Sequence, residues 1–197
     1  MKLLQESPVE FLDPLYHPPE KVFITEITGK FGNAVLVGTS NGLLSLRLNR
    51  RHSDVAETIS LRWGSEIIFD ESPFRVTNNN IKETVRAFLD GNSVPIKAVV
   101  QPVMLTPFTV NVHRYISRIP FGETYSYGEI AAAMGNPRAS RAVGTACGKN
   151  SVLIVVPCHR VVASNGLGGF GAGLDLKKRL LTHEGVSSYN MKKSIIS

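Results

Sequence analysis

A segment with three prolines, residues 95–107, separates two halves of the chain whose apolar residues follow different periods. Upstream, between residues 21 and 48, apolar and polar residues alternate as they do in half-buried strands. Downstream, apolar residues recur every three or four positions, which is the spacing of one helix face. The change of period predicts an α+β chain of two domains, residues 1–103 and 104–186, followed by a tail at residues 187–197.

The upstream half is predicted to contain a few strands followed by one helix. Strands are expected at Val22 and Ile24, at residues 34–37 and at residues 43–48. The dipeptides Gly32-Asn33 and Asn41-Gly42 are typical of hairpin turns between such strands. Residues 81–89 have the period of a short amphipathic helix. We recognise no catalytic cluster in this half and expect it to support the other half structurally.

The downstream half carries clear signals for helix starts. Thr106 and Pro107 fit an N-cap and a first helical residue. Ser126 and Glu129 have the spacing of a capping box, which predicts a short helix that Gly135 closes. We therefore expect helices to dominate from residue 107 onward.

A further helix is predicted to begin at Asn136-Pro137 and to end near Cys147, with Gly148 as its cap. Two short helices joined by a tight turn are typical of a helix-turn-helix, although generic helical hairpins share this spacing. One face of the second helix carries small or basic side chains, namely Arg138, Arg141, Ala142, Thr145 and Lys149. The opposite, core-facing stripe consists of Ala139, Val143 and Ala146.

The charge of the chain is concentrated in the same half. Residues 1–100 have 11 Lys and Arg against 12 Asp and Glu, whereas residues 101–197 have 11 against 4. A basic half with small residues on its basic helix face fits close approach to a phosphate backbone, so the sequence predicts a nucleic-acid partner. A merely solvated basic surface is the alternative.

A five-residue apolar run, residues 152–156, precedes the sequence Pro157-Cys158-His159-Arg160. The run predicts a buried strand that Pro157 ends, because proline cannot donate to a sheet ladder. Such a strand end can present Cys158 to a cleft, and the charge of Arg160 would favour its thiolate form. The alternative is an ordinary buried cysteine, which is how most free thiols occur in proteins.

Two other functions compete for these residues. Cys147, Cys158, His159 and His183 are ligand types for zinc, but they lack the paired spacing of zinc sites, so we expect no metal. A cysteine hydrolase would use a distant histidine, such as His113 or His183, and would leave the basic helix unexplained. Two cysteines do not form a disulfide framework, and Cys147 is expected to be structural.

The sequence resembles the O6-alkylguanine-DNA alkyltransferases, also called methylated-DNA–protein-cysteine methyltransferases. The similar segments extend over residues 106–185, and the upstream half resembles the family only loosely. The active-site signature matches at residues 157–162, the first DNA-binding helix at 121–131, and the turn with the recognition helix at 135–144. Asn150 stands eight residues before the cysteine, as the family's hinge asparagine does, and residues 183–185 fit the end of its last helix.

The resemblance implies irreversible transfer of an alkyl group from guanine O6, and from thymine O4, to Cys158, once per molecule and without a cofactor. His159 would take the thiol proton through a water molecule, and Glu184 would hold the imidazole. Asn150 would stabilise the turns around the site. A non-catalytic lesion-binding protein is the alternative within the family, and the presence of Cys158 argues against it.

The resemblance also implies binding of double-stranded DNA through the minor groove. Arg141 would enter the base stack as the nucleotide flips out, and Tyr127 would donate a hydrogen bond to the flipped base. The remaining residues expected at the DNA are Arg138, Ala142, Thr145, Lys149 and Arg160.

The substrate pocket is expected to include Val161, Leu153, Phe170, Gly171 and Ala172. The carbonyls of Cys158 and Val161 would accept from the guanine amine. The loop at residues 164–173 has glycines where some relatives have a serine, so only a backbone amide of Gly171 or Ala172 would contact O6. Leu153 replaces a proline of some relatives, which is expected to narrow tolerance for bulky alkyl groups.

The fold implied by the resemblance is a ribonuclease-H-like N-terminal domain and a winged-helix-like C-terminal domain. No apolar run approaches the 18 residues of a membrane span. We expect an intracellular monomer, in the cytoplasm or, in a eukaryote, the nucleus.

Overall fold

The computed structural model describes residues 6–76 and 80–186. Contacts between residues divide them into two compact units. The first comprises Pro8–Thr106 together with Ser151–Val155, and the second comprises Pro107–Asn150 together with residues 6–7 and 156–186. The predicted tail at residues 187–197 lies outside the described residues.

The first unit is built on a mixed six-stranded sheet. The strands are β1 (Val9–Phe11), β2 (Lys21–Gly29), β3 (Gly32–Gly38), β4 (Leu43–Leu48), β5 (Glu66–Phe69) and β6 (Ala98–Val100). Their order in the sheet is β1-β6-β4-β3-β2-β5. Neighbouring strands β4, β3 and β2 are antiparallel, while the pairs β1–β6, β6–β4 and β2–β5 are parallel.

Three helices belong to this unit: α1 (His52–Trp63), α2 (Ser72–Val76) and α3 (Ile81–Leu89). The predicted helix at residues 81–89 is confirmed as α3. Helix α1 was not predicted, because only Val55, Ala56 and Ile59 of its twelve residues are buried and its apolar period is weak. These three residues pack on the apolar face of the sheet.

Two predictions for this unit are wrong in detail. Gly32-Asn33 does not form a hairpin turn: Gly29 pairs with Gly32, so the turn is Lys30-Phe31 and the glycine begins β3. The proline-rich segment at residues 95–107 is more than a connection, because it supplies strand β6 to the sheet. The turn at Asn41-Gly42 is confirmed by the hydrogen bond from the Thr39 amide to the Gly42 carbonyl.

The apolar run at residues 152–156 is not a strand. Val152 forms a single bridge to Leu46, and the chain then turns tightly, with the Val155 amide donating to the Leu153 carbonyl. Ile154 has a φ of 62°, a left-handed conformation that β-branched residues rarely adopt. The run is apolar because its side chains are buried, although its backbone forms a turn and not a strand.

The second unit is mainly helical. Its helices are α4 (Pro107–Ile116), α5 (Tyr127–Ala133), α6 (Ser140–Gly148) and α7 (Leu174–His183). Single 3-10 turns occupy Pro137–Ala139 and Cys158–Arg160. The two-residue strands β7 (Tyr125–Ser126) and β8 (Val161–Val162) pair in parallel. The chain is thus α+β, as predicted.

The predicted helix starts in this unit are confirmed, with one adjustment. Helix α4 begins at Pro107, and Ser126 and Glu129 form the reciprocal bonds of a capping box at the start of α5. The expected helix from Asn136-Pro137 begins as a 3-10 turn and becomes α-helical only at Ser140. Gly148 is the last residue of α6 and not the residue after it.

Candidate active site

Cys158 is held by two successive turns of the backbone. Pro157 has φ −82° and ψ 60°, the inverse γ-turn conformation, and the Cys158 amide donates to the Val156 carbonyl at 2.8 Å. The cysteine then begins a 3-10 turn that leads into β8. Because β8 pairs with β7, the cysteine segment is tied to the residues that open α5.

The Cys158 side chain is buried, with 5% of the residue exposed. Its sulfur accepts a hydrogen bond from Asn150 Nδ2 at 3.0 Å, and the same amide donates to the Val156 carbonyl at 2.7 Å. Burial raises the pKa of the thiol, and the Asn150 hydrogen bond and the charge of Lys177 act against that rise. The thiol is therefore protonated at rest, in surroundings that favour its anion more than apolar burial alone would.

His159 is completely buried and bonded to a carboxylate. Its Nε2 lies 2.7 Å from Glu184 Oε1. Arg160 binds the same carboxylate through Nε to Oε2 at 2.8 Å and through Nη2 to Oε1 at 3.0 Å. The Gly122 amide also donates to Oε2, at 3.2 Å. Although burial would raise the pKa of Glu184, the hydrogen bonds and charges of His159 and Arg160 lower it to about 2, so the group is a carboxylate.

The tautomer of His159 follows from this arrangement. An ionised carboxylate only accepts, so Nε2 carries the proton of the hydrogen bond to Glu184. Burial lowers the pKa of His159 and keeps the imidazole neutral at rest. Its Nδ1 is therefore a free lone pair, and this atom is buried without a hydrogen bond to any other described residue. The ring is set up to accept a proton at Nδ1.

A cavity of about 120 Å³ opens beside Cys158. This volume is below the 300–1,000 Å³ of sites for drug-sized ligands, so only a small or flat group fits. Its lining is formed by Tyr127, Gly144, Cys147, Gly148, Cys158, Gly169, Phe170 and Gly171.

Tyr127, the first residue of α5, lies between two glycines. A Cβ on Gly144 would lie 3.8 Å from the tyrosine ring, and a Cβ on Gly168 would lie 2.8 Å from it. The Tyr127 hydroxyl donates to the Gly169 carbonyl at 3.4 Å, which is long for such a bond. The ring is thus fixed in place while its hydroxyl is only weakly engaged.

Lys177 is a site residue that was not predicted from the sequence. It is completely buried, and its ammonium donates to the carbonyls of Val161 at 2.7 Å, Leu167 at 2.5 Å and Gly169 at 3.1 Å. Three N–H groups meet three carbonyls, which joins β8 to the glycine-rich loop. Burial lowers the pKa of Lys177 to about 8. The available signal was its spacing with Leu180 and Leu181 on the buried face of α7.

Residues 107–186 match the family model described as 6-O-methylguanine DNA methyltransferase, DNA binding domain. A methylated-DNA–protein-cysteine methyltransferase of Methanosarcina acetivorans is 53% identical over 81 residues, which are 41% of this chain and 52% of that protein. The crystal structure of Mycobacterium tuberculosis O6-methylguanine methyltransferase is similar with a TM-score of 0.64 and 32% identity, covering 83% of this chain and 92% of that one.

This chain belongs to the methylated-DNA–protein-cysteine methyltransferase family. The M. tuberculosis protein has also been solved in complex with DNA, and that structure is similar with a TM-score of 0.65 and 27% identity, covering 89% of this chain and 99% of that one. In the sequence alignments, the chain spans about half the length of the curated relatives it matches.

The residues predicted to face DNA in this family lie together on the surface of the second unit. All five positions of the predicted face, Arg138, Arg141, Ala142, Thr145 and Lys149, are exposed. Val143 and Ala146 are buried beneath them, while Ala139 is half-buried. Arg160 is placed differently, because its guanidinium is engaged by Glu184 and by the Ile119 carbonyl at 2.6 Å.

Of the predicted pocket residues, Phe170 and Gly171 line the cavity. Val161 is buried in β8, and its carbonyl already accepts from Lys177. Ala172 is half-buried and is not part of the cavity lining. Leu153 is buried in the first unit, where its amide donates to the Leu46 carbonyl at 3.1 Å.

The residues considered for zinc and hydrolase sites have other surroundings. No group of three or more His, Cys, Asp or Glu able to hold a metal occurs among residues 6–76 and 80–186. His113 is buried, and its Nε2 donates to the Ala146 carbonyl at 2.9 Å, which joins α4 to α6. Cys147 lines the same cavity as Cys158, and burial raises its pKa to about 12.

Among the helices of the described residues, none combines the length and the apolar composition that a membrane span requires.

Proposed function

We propose that this chain repairs DNA by transferring an alkyl group from O6 of guanine, or O4 of thymine, to Sγ of Cys158. The observation that carries the proposal is the buried Cys158 thiol in a small cavity, with a neutral His159 base beside it in sequence. The names of the family relatives, methylated-DNA–protein-cysteine methyltransferases, support the same reaction. Since a thioether does not regenerate the thiol, each molecule acts once.

The transfer divides into a proton step and a displacement. His159 Nδ1 takes the thiol proton through a water molecule, and Glu184 holds the ring with Nδ1 unprotonated. The thiolate then attacks the alkyl carbon, forming the C–S bond as the C–O6 bond breaks. The electron pair of that bond remains on guanine, where a hydrogen bond from Tyr127 to N3 offsets the developing charge.

Asn150 and Arg160 position these groups. Asn150 donates to the sulfur and stabilises the anion as it forms, since hydrogen bonds to charged groups are stronger than those to neutral ones. Arg160 keeps Glu184 ionised and fixed, so we propose a positioning role for it. Its contact to DNA, expected from the sequence, would require the guanidinium to leave this ion pair.

Lys177 fixes the loop that carries Phe170 and Gly171. Its bonds to Leu167 and Gly169 hold the loop at both sides of Gly168, against which the Tyr127 ring rests. We propose that this loop presents a backbone amide of Gly171 or Ala172 to O6 of the alkylated base. Val161 would offer its carbonyl to the guanine amine beside the hydrogen bond that this carbonyl accepts from Lys177.

Helices α5 and α6 act in this proposal as a helix-turn-helix whose second helix enters the minor groove. The exposed face of small and basic side chains supports it, because small residues permit close approach to the backbone. Arg141 would fill the space left by the flipped nucleotide. The remaining contacts are assigned to Arg138, Ala142, Thr145 and Lys149.

We further propose that the first domain has a ribonuclease-H-like fold and that the second has a winged-helix-like fold. The mixed sheet with α1 and α3 supports the former, and α5, α6 and the β7–β8 pair support the latter. We further propose a monomer that works where cellular DNA is, in the cytoplasm or, in a eukaryote, the nucleus.

One experiment tests the reaction. The protein is incubated with duplex DNA carrying O6-methylguanine, and its intact mass is measured, followed by peptide mapping. We expect a gain of one methyl group on Cys158, absent in Cys158→Ala. A Cys158→Ala protein that still binds the duplex confirms that the site is intact. Tight lesion binding by wild-type protein without any mass gain would instead indicate a non-catalytic lesion-binding protein.

The flipping role of Arg141 is tested with two substrates. Arg141→Ala should slow methyl transfer from duplex DNA strongly while leaving reaction with a free O6-alkylguanine derivative unchanged. Arg114→Ala, an exposed arginine on α4, serves as the charge-matched control. Equal slowing on both substrates would contradict the assignment.

A further inference from the structure

A second cavity, of about 310 Å³, lies in the first unit and is rich in arginine. Residues 47–62 contain four of the six arginines in the first hundred residues. The net charge of that half is close to zero, but positive charge is concentrated in this segment. We call this cavity the arginine cleft. It is lined by Arg47, Arg50, Asp54, Val55, Thr58 and Ile59.

Arg47 is in an unusual position for a charged side chain. It lies in β4 opposite Val35, a completely buried residue of the face that α1 covers, and is itself half-buried. Its guanidinium forms no hydrogen bond or ion pair with any other residue in the described part of the chain. Burial lowers the pKa of Arg47, and the charges of Arg62 and Arg50 lower it further. Two further cations thus repel the guanidinium of Arg47 at the cleft.

The carboxylate in the cleft lining, Asp54, does not pair with Arg47. Asp54 is held by Arg51, with Nε to Oδ2 and Nη2 to Oδ1 distances of 3.1 Å each. Ser53 donates to the same group at 3.3 Å. The segments outside the described residues contain no aspartate or glutamate in their sequence. No side-chain carboxylate from those segments is therefore available to pair with Arg47.

A half-buried, unpaired guanidinium is costly to a fold, which makes an external anion the natural partner. Guanidinium groups match phosphate oxygens with two parallel hydrogen bonds, and the cleft lining offers the guanidinium groups of Arg47 and Arg50. We propose that the arginine cleft binds a phosphate group, supplied either by a nucleic-acid backbone or by free phosphate. This site lies within the first unit and does not depend on the alkyl-transfer function proposed for the second.

The primary test is thermal unfolding of the full chain in sodium phosphate and in sodium chloride at equal ionic strength. At ten times the dissociation constant, phosphate should raise the Tm of wild-type protein by about 3 °C. Arg47→Met should raise the Tm in chloride, because it removes the unpaired charge, and should abolish the phosphate response. Arg86→Gln, an exposed arginine of α3, is the charge-matched control and should behave as wild type.

A second variant, Arg50→Gln, allows the proposal to be tested even if Arg47→Met does not fold. Arg50→Gln changes an exposed residue at the cleft and should weaken the phosphate response several-fold. Because it removes one of the charges that repel Arg47, it should not lower the Tm in chloride. Equal phosphate responses in wild type, Arg47→Met and Arg50→Gln would overturn the proposal. So would an Arg47→Met protein that folds but is less stable than wild type in chloride.

The source of the phosphate is decided by the salt dependence of binding to unmodified duplex DNA. If the cleft takes a backbone phosphate, Arg47→Met should reduce the slope of log affinity against log salt by about 0.9. An unchanged slope, together with loss of the Tm response, assigns the cleft to free phosphate. In both cases methyl transfer from a free O6-alkylguanine derivative should be unaffected, which separates this test from that of the active site.

Discussion

The amide nitrogen of Asn150 lies 3.0 Å from the sulfur of Cys158 and 2.7 Å from the Val156 carbonyl. One side chain thus binds the proposed nucleophile and also fastens the turn at Pro157 that presents it. The two N–H groups of the amide are both used. Through these two hydrogen bonds Asn150, eight residues before the cysteine in sequence, becomes part of the site.

Replacing Asn150 by Ala should raise the pKa of Cys158 further and slow methyl transfer. The lost hydrogen bond to a developing thiolate is worth about 1.5–3 kcal/mol, or roughly 10- to 100-fold in rate. The measurement is the transfer rate from methylated duplex between pH 7 and 9, where the variant should recover part of its rate at high pH. Asn165→Ala, exposed in the loop after β8, should keep the wild-type rate. A slow rate that does not depend on pH would contradict the contribution to thiolate stability.

Replacing Glu184 by Ala should destabilise the protein by about 3–5 kcal/mol, because Arg160 and His159 would lose the carboxylate between them. Urea unfolding measures the difference. Glu123→Ala, which removes an exposed carboxylate of the same unit, should stay within about 0.5 kcal/mol of wild type. A loss below 1 kcal/mol in Glu184→Ala would show that the buried pair is not held as described.

Stability should fall with acid in two stages. Burial lowers the pKa of both His159 and His113 below 6.5, so the unfolded chain binds protons first as the pH drops. The free energy of unfolding should therefore decrease from about pH 6.5 downward. The lowered pKa of Glu184, about 2, adds a second loss between about pH 4.5 and 2. Urea unfolding at successive pH values checks this, and His113→Gln should flatten the first stage while His17→Gln, at an exposed position, should not.

The sequence was most informative where local chemistry determines the backbone. The capping box of Ser126 and Glu129 and the helix start at Pro107 were predicted from interactions within one turn, and the structure confirms both. The apolar run at residues 152–156 was misleading, because burial selects the same side chains for a strand and for a buried turn. Only tertiary contacts, such as the bridge from Val152 to Leu46, distinguish the two.

The candidate site likewise combines features that the sequence predicts with features that only the tertiary structure shows. The roles of Cys158, His159 and Glu184 were predicted from the resemblance to the family, and the structure brings His159 and Glu184 together. The bidentate ion pair of Arg160 and the burial of Lys177 were not predicted, because both residues have the sequence signature of surface cations. What distinguishes a buried cation is the carboxylate or carbonyls that surround it, and these come from other segments of the chain.

Replacing Lys177 by Met should loosen the glycine-rich loop. Three carbonyls would lose their donor, so the amides of residues 167–171 should exchange with solvent several-fold faster, and methyl transfer should slow with them. Hydrogen exchange followed by mass spectrometry measures the loop directly. Lys178→Met removes the neighbouring, exposed charge and should change neither property. Slower transfer without faster exchange in the loop would mean that Lys177 acts electrostatically on Cys158 and not through the loop.

Adjacent glycines in this loop provide a sharper comparison. A Cβ on Gly168 would lie 2.8 Å from Cε2 and 2.9 Å from the hydroxyl of Tyr127, and its φ of 66° disfavours any L side chain. A Cβ on Gly169 would meet nothing within 4 Å. Gly168→Ala should therefore displace the tyrosine ring at a cost of at least about 1–2 kcal/mol.

Methyl transfer should respond to the displaced ring. Gly168→Ala should reduce transfer from both duplex DNA and a free O6-alkylguanine derivative, because the displaced hydroxyl serves either substrate. Gly166→Ala, in the same loop but outside the cavity lining, should stay close to wild type, because its Cβ would also meet nothing within 4 Å. In a Tyr127→Phe background the hydroxyl is already gone, so Gly168→Ala should cause a much smaller further loss. Full additivity of the two changes would show that Gly168 acts on the site by a route other than Tyr127.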